Sequence, residues 1–382
     1  MKPFLNATCT KVINLSFITA SIMLAASCST TPEYGAGQVS NPNATSETKA
    51  LFNSLKNIAQ GDGFLFGHQD ALAYGIGWWD EDFRTDVNDV CGDHPAVFGW
   101  DIGMIGTERN IDSVSFQRMK QWIGQVYSRG GVNTISWHAN NPVTGGTPWD
   151  ISQKAVKHIL PGGTHHDTFM VQLGHVANFL ADLRAADGTP IPIVFRPYHE
   201  HTGHWFWWGE TSCTREEYIA LWRFTYEYLV NVRGLNNLLW AYSPDRFGTR
   251  ERYLDRFPGE EYVDILGYDN YVYFGDPERV SQAIRELRIV VQIADSLGKV
   301  AALTETGLNM IPIANWWTEH ILKPITNDSI AKRIAWVLVW RNANPEHQFA
   351  PSPRHPSAPN FMDFYNHPST LFLNDIPDMY KP

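Results

Sequence analysis

Two glutamates that close apolar runs are the residues of this chain best placed to do chemistry. Glu200 ends Ile191-Pro-Ile-Val-Phe-Arg-Pro-Tyr-His-Glu200, and Glu305 ends Val300-Ala-Ala-Leu-Thr-Glu305. Both runs read as strands buried on two faces, so each carboxylate stands where such a strand would stop. A carboxylate there costs desolvation energy, and folds seldom keep one without a use. Two of them across one pocket suit acid-assisted cleavage of a sugar acetal, and a retaining mechanism wants them about 5–5.5 Å apart. Their surroundings differ. Glu200 lies in the ring-rich stretch Tyr198-His-Glu-His-Thr-Gly-His-Trp-Phe-Trp-Trp208, which should desolvate it and keep it protonated as the acid. Glu305 has to stay ionised, so donors such as Arg196 and Tyr271 are expected around it. The plainer alternative is that one glutamate caps a helix, or pairs with Arg196 for structure alone.

The elements that must position this pair follow from hydrophobic pattern. Eight short apolar runs read as strands: 64–69, 96–101, 131–138, 191–196, 237–242, 263–268, 300–304 and 335–340. Helical patterns fall between them, the clearest over 116–128, 168–186, 215–232 and 277–297. In the last, Val280, Ile284, Leu287, Val291 and Ala294 recur at three- and four-residue steps and share one face. Thr214 before Arg215-Glu-Glu217 reads as an N-cap. Eight β/α steps with continuous apolar strands point to a (β/α)8 TIM barrel forming a single catalytic domain. An open doubly wound sheet would normally carry a glycine-rich phosphate loop after its first strand, and none follows 64–69. The barrel also predicts that chemistry gathers just after each strand. His68, Asp101, His138, Glu200, Asp245, Asp269, Tyr271, Glu305, Trp340 and Arg341 all fall there. Strands four and seven lie on opposite sides of one mouth, which lets Glu200 and Glu305 face each other.

Composition narrows the partners. The 382 residues, 43% hydrophobic and 18% charged, are ample for one large core. A net charge of −10 with no basic run argues against nucleic acid. Fifteen Trp and fifteen Tyr lean toward carbohydrate, because flat rings stack on the apolar faces of sugars. Residues 1–28 read as a signal peptide. Lys2 and Lys11 precede an apolar stretch over 12–26 that is too short to span a bilayer, and it closes on Leu24-Ala-Ala-Ser-Cys28. The small residues before Cys28 are similar to a bacterial lipobox with Cys28 as the lipid attachment site; ordinary signal cleavage nearby is the alternative. Either route exports the chain. Residues 29–46, rich in Ser, Thr, Pro, Asn and Gly, read as a flexible tether, leaving 47–382 as the catalytic domain. Without an acidic run after Cys28, the expected location is a lipid-anchored cell envelope protein facing the periplasm, with the monomer as the default state. Cys91 and Cys213 are free to pair in an oxidising compartment, but spacing does not place them together.

The segment Arg196-Pro-Tyr-His-Glu200 followed by Gly203-His-Trp-Phe-Trp-Trp-Gly209 resembles the acid/base signature of glycoside hydrolase family 26, chiefly β-mannanases. The likeness runs from Phe66-Gly-His-Gln69 through Gly99-Trp-Asp101 and Ser136-Trp-His138 to Trp340-Arg-Asn342. It implies a (β/α)8 barrel that hydrolyses β-1,4-mannosidic bonds with retention. It further implies Glu200 as general acid/base and Glu305 as nucleophile, with His199 and Arg196 orienting the carboxylates and sugar hydroxyls. Trp205 and Trp340 would pack against the sugar at the cleavage point, with Arg341 beside Trp340, and His138 would bind a sugar there. Asp269 and Tyr271 match the family's Asp-x-Tyr at strand six, the tyrosine holding the nucleophile and the aspartate a sugar hydroxyl. Trp149, Trp316 and Trp317 fall in loops at the same mouth and would stack on more distant sugars.

Other readings compete with this one. The cluster His199-Glu-His201-x-x-His204 suggests a metal hydrolase, but zinc ligands from one segment usually take helical spacing, and here a strand is ending. No metal and no cofactor is therefore expected. A glycan-binding lipoprotein would explain the tryptophans and the anchor but not the paired carboxylates. The same glutamates could also serve a mixed-linkage β-glucan or a xylan. The insertions at 75–93, 140–164 and 349–361 decide between endo cleavage and release of mannobiose from a chain end.

Overall fold

The computed structural model describes residues 38–381. The leader, Cys28 and the segment as far as residue 37 lie outside the described residues. The eight strands are β1 (Phe64–Gln69), β2 (Val97–Asp101), β3 (Val132–Trp137), β4 (Ile193–Pro197), β5 (Leu238–Tyr242), β6 in two pieces (Ile265–Leu266 and Asp269–Asn270), β7 in two pieces (Val300–Ala301 and Leu303–Thr306) and β8 (Trp336–Val339). Each pairs in parallel with its sequence neighbours, and β8 pairs with β1. The ring closes because β6 and β7 pair in both of their pieces. This is the (β/α)8 barrel expected from the pattern, with every predicted strand present.

Strands β1 and β3 are buried at every position, which explains their continuous apolar runs. Leu65, Val97, Val132, Val194, Leu239, Ile265 and Val300 pack together with Leu51, Phe52 and Leu55 of α1 (Ser46–Gln60), in one apolar cluster distinct from the larger one. The interior is thus a packed core rather than a channel. The larger cluster holds the opposite strand faces and the buried stripes of α2 (Phe116–Ser128), α3 (His166–Ala181), α4 (Arg215–Glu227) and α5 (Val280–Leu297). Thr214 caps α4 in a full capping box with Glu217. Helix α4 stops at Glu227, and a π-turn over Tyr228–Val232 completes the helical stretch expected there.

The break in β6 has a local cause. A Cβ on Gly267 would lie 2.5 Å from Thr304 Oγ1 and 2.7 Å from Ser243 Cβ, so only glycine fits between the neighbouring strands. Thr304 Oγ1 accepts from the Tyr268 backbone N–H at 2.9 Å and donates to Asp269 Oδ1 at 2.6 Å. A side chain therefore enters the ladder where regular pairing pauses.

The tether expectation for 29–46 is corrected over its described part. Ser40 donates from its backbone N–H (2.5 Å) and its hydroxyl (2.8 Å) to the buried carboxylate of Asp264, which also accepts from Trp240 N–H at 2.8 Å. Lys299 Nζ donates to the Gln38 carbonyl at 3.0 Å, and Thr45 caps α1. The polar composition that reads as disorder instead serves a buried acid at the base of the barrel. Among the described residues Cys91 and Cys213 are unpaired thiols. No helix among the described residues is long and apolar enough to cross a membrane. Replacing Asp264 with Ala leaves the Ser40 and Trp240 amides without their acceptor. It is expected to lower stability by about 2–3 kcal/mol, read as a fall in thermal midpoint with earlier proteolysis ahead of α1.

Candidate active site

The C-terminal ends of the strands carry a continuous set of polar side chains, and Arg196 at the end of β4 organises one half of it. It is 3% exposed, donates from Nη1 to Asp269 Oδ2 at 2.7 Å, and donates from Nη2 to Glu305 Oε2. Strand register sets this up, with Glu305 on β7 directly beside Asp269 on β6. The second oxygen of Glu305 accepts from the Tyr271 hydroxyl at 2.7 Å. Burial and the neighbouring Glu305 charge hold the Tyr271 phenol well above its usual range, so it remains a donor. One cation and one phenol therefore face Glu305, an environment built for an anion.

Glu200 sits on a strained elbow. Tyr198 and Glu200 have φ of 49° and 52°, left-handed values that non-glycine residues rarely adopt. The elbow is held from several sides. Tyr218 of α4 donates to the Tyr198 carbonyl (3.0 Å), Trp208 Nε1 to the His199 carbonyl (2.8 Å), and the Glu200 amide to the Ser243 carbonyl (2.8 Å). These bonds compensate about 1–3 kcal/mol of strain at each such residue. Trp205 Nε1 donates to Glu200 Oε2 at 2.8 Å. Burial, and then the charge of Glu305, push the Glu200 carboxyl well above the ordinary carboxylate range. Two carboxyls at one mouth thereby have opposed surroundings, Glu305 facing a cation and a phenol and Glu200 desolvated beside an indole.

A third charged unit stands at the same mouth. His138 Nδ1 lies 2.8 Å from Asp101 Oδ2, and Asp101 also accepts from Ser136 Oγ (2.7 Å) and Gly103 N–H (2.7 Å). Burial opposes a charged imidazole, but Asp101 outweighs it and raises the His138 pKa. Aromatic rings surround His138, with Trp149 at 5.5 Å, Phe206 at 5.4 Å, Trp340 at 6.0 Å and His199 at 4.7 Å between centroids. His199 is buried among these rings, and burial keeps it neutral. Arg341, after Trp340, pairs with Asp112 at 2.7 Å and donates to the Tyr74 hydroxyl at 3.2 Å; Tyr74 in turn donates to Asp70 at 2.9 Å.

Three expectations need correction. Asp269 is fully buried, and its oxygens take bonds from Arg196, Ser243 and Thr304. It therefore orients the guanidinium rather than holding a sugar hydroxyl. Trp316 and Trp317 are fully buried, not at the mouth. Trp316 donates to the Phe274 carbonyl at 2.7 Å, and Trp317 packs on Phe66, Phe361 and Phe364. A Trp-Trp pair is as well suited to core as to rim, and a turn of helix directs both inward. Sequence reading missed Ser243, Thr304, Tyr218, Tyr74 and Asp112. Asp112 and Tyr74 lie in insertions with no strand pattern to place them, and Tyr218 reads only as one apolar position of a helix.

The histidines of the 199–204 cluster have separate surroundings. His201 is buried between the rings of Tyr218 and Tyr242 at 4.5 and 4.7 Å, whereas His204 is exposed. No group of three His, Cys, Asp or Glu side chains among the described residues is arranged to hold a metal ion.

Comparison with known proteins gives a consistent picture. The sequence profile of glycosyl hydrolase family 26 matches residues 40–348. A mannan endo-1,4-beta-mannosidase of Bifidobacterium adolescentis is 37% identical over 284 residues, which are 70% of this chain and 28% of that protein. One from Bacillus subtilis is 32% identical over 284 residues, 70% of this chain and 73% of that protein. The chain thus spans less than a third of the first relative and nearly three quarters of the second. The solved structure of a GH26 beta-mannanase from Bacteroides ovatus superposes with a TM-score of 0.85 at 42% identity, covering 88% of this chain and 98% of that one.

The His138–Asp101 pair can be tested without reference to any substrate. With Asp101→Asn the main raising partner is lost while the burial and the lesser pull of Glu305 and Asp112 stay, so the His138 pKa is expected to fall. NMR titration of the imidazole resonances reads this directly.

Proposed function

The chain belongs to glycosyl hydrolase family 26, and from that premise we propose that it is a retaining hydrolase of β-1,4-linked mannans. The observation that carries the reading is the opposed environment of two carboxyls at one mouth: Glu305 under Arg196 and Tyr271, Glu200 desolvated beneath Trp205. In the first step Glu305 attacks the anomeric carbon while Glu200 gives its proton to the leaving oxygen. In the second, Glu200 as carboxylate takes a proton from water while the water oxygen attacks the anomeric carbon, and the bond from that carbon to Glu305 breaks. His138, Trp205, Trp340 and Trp149 offer a cationic ring and three indoles to the sugar. The names of the curated relatives support mannan over glucan or xylan. They equally support endo action, which the products from mannohexaose distinguish from mannobiose release at a chain end.

Glu305→Ala is expected to abolish turnover of mannan by several orders of magnitude, whereas Glu200→Ala should cost about 10²–10⁴-fold on natural substrate and far less on an activated aryl glycoside. The first step needs Glu200 protonated, so kcat/KM should decline as pH rises through its elevated pKa. That alkaline limb is expected to vanish in Glu200→Ala assayed with the activated substrate. Full mannan activity in Glu305→Ala would remove the assignment.

The reading places the enzyme in the cell envelope as a monomer, held through a lipid on Cys28 and facing the periplasm. The small residues preceding Cys28 support this. Cys28→Ser is expected to shift the protein from the membrane to the soluble fraction and to end incorporation of radiolabelled palmitate.

A further inference from the structure

Beyond β1 the chain makes a small hairpin, Tyr74–Gly75 paired with Trp78–Trp79. Trp79 at its end is 51% exposed. A single exposed aromatic is ordinary on a protein surface. What sets this one apart is its seat. One face of the indole lies on the Tyr74 ring, with centroids 5.0 Å apart and planes 22° from parallel. The hairpin beneath is fastened at several points. The carboxylate of Asp86 accepts from Ile76 N–H (3.0 Å), Trp78 Nε1 (2.8 Å) and Asn342 Nδ2 (2.7 Å), joining the hairpin to the loop after β8. Asp80 N–H donates to the Ala73 carbonyl at 3.0 Å, and Arg118 of α2 grips the Asp80 carboxylate at 2.6 Å. An apolar plate has been made rigid and left open to water on its other side.

Its position ties it to the cleft. The Tyr74 hydroxyl meets Arg341 at 3.2 Å, and Arg341 follows Trp340, whose ring is 6.0 Å from His138. Trp79 therefore continues the row Trp340–Arg341–Tyr74 outward from the centre, on the β1–β8 side. In the strand order this side lies across the ring from β4, which leads to Glu200. On the β3 side, Trp149 is 48% exposed and 5.5 Å from His138. Two open indoles thus flank the central pocket from different sides.

We propose that Trp79 is a stacking platform for a hexose unit of the bound polysaccharide, one position or more outside the unit that meets Arg341. Rigid seating lowers the ordering cost of binding, and the exposed face supplies apolar area to the axial hydrogens of a pyranose. The inference rests on the proposed mannan substrate, and it gives the cleft a distal sugar site on the β1–β8 side.

The test is calorimetric binding in a Glu305→Gln background, so that nothing is cleaved, using mannotriose and mannohexaose. Adding Trp79→Ala is expected to weaken mannohexaose about five- to tenfold and leave mannotriose unchanged, while Trp79→Phe keeps most of the affinity. Equal affinity of the Trp79→Ala protein and its parent for both lengths would overturn the platform. An equal loss at both lengths would overturn it too, since that marks disturbance of Tyr74 and Arg341 rather than a distal site. If the parent binds neither oligosaccharide, the mannan reading itself fails and the platform goes with it; a parent that binds both isolates the question to Trp79.

Discussion

Burial of one guanidinium governs the arrangement of this barrel's mouth. Arg196 is almost wholly out of water, and an isolated cation there would cost several kcal/mol. It is tolerated because Asp269 and Glu305 accept from its two terminal nitrogens, a fork geometry that lysine cannot reproduce. The consequences spread through the strands. Asp269 must face inward from the second piece of β6, so its remaining lone pairs are met by Thr304 and Ser243. Thr304 in turn stands beside the break in β6, and Gly267 has to be free of a side chain to admit it. A charge at the centre thus dictates a glycine, a threonine and a strand interruption around it.

The same group explains how two chemically alike residues diverge. Arg196 spends its charge on Glu305 and Asp269 at contact distance and reaches Glu200 only through space. Glu200 is left with a neutral indole as its donor and with the Glu305 anion as a neighbour. Desolvation and repulsion then both favour its protonated form. The raised proton affinity of Glu200 thus follows from its burial and from the guanidinium touching the other carboxyl, not from anything intrinsic to the side chain.

Much of this frame was legible in the sequence, for identifiable reasons. Strands buried on both faces cannot alternate in polarity, so 64–69 and the others stood out as continuous apolar runs. Thr214 and Glu217 announced the start of α4 because capping is local chemistry. What stayed hidden was whatever depends on strand register or on long-range partners. Asp269 was visible as a strand-end acid, but only its pairing beside Glu305 turns it toward Arg196 and away from a sugar. Residues 38–45 have the composition of a tether, and the buried Asp264 that claims Ser40 lies 224 positions away. Trp316 and Trp317 follow a strand end as rim residues would, yet a helical turn packs both beneath the surface.

Departures from local rules are found where the chemistry is. The left-handed residues Tyr198 and Glu200 bracket His199, whose buried Nδ1 has no hydrogen-bond partner among the described residues, and His201 beyond them is fully enclosed with both ring nitrogens unpaired there. Burial keeps both imidazoles neutral, which limits the cost of leaving them unpaired. A sequence optimised for stability alone would not place two buried histidines and two strained residues within four positions. Tyr218, Trp208 and Ser243 hold the backbone there by bonding the peptide groups directly, which frees the Glu200 side chain for a single donor, Trp205. The strain is thus carried by the main chain and its aromatic supports. The carboxyl stays lightly bonded, and a proton that must leave and return in each turnover requires that.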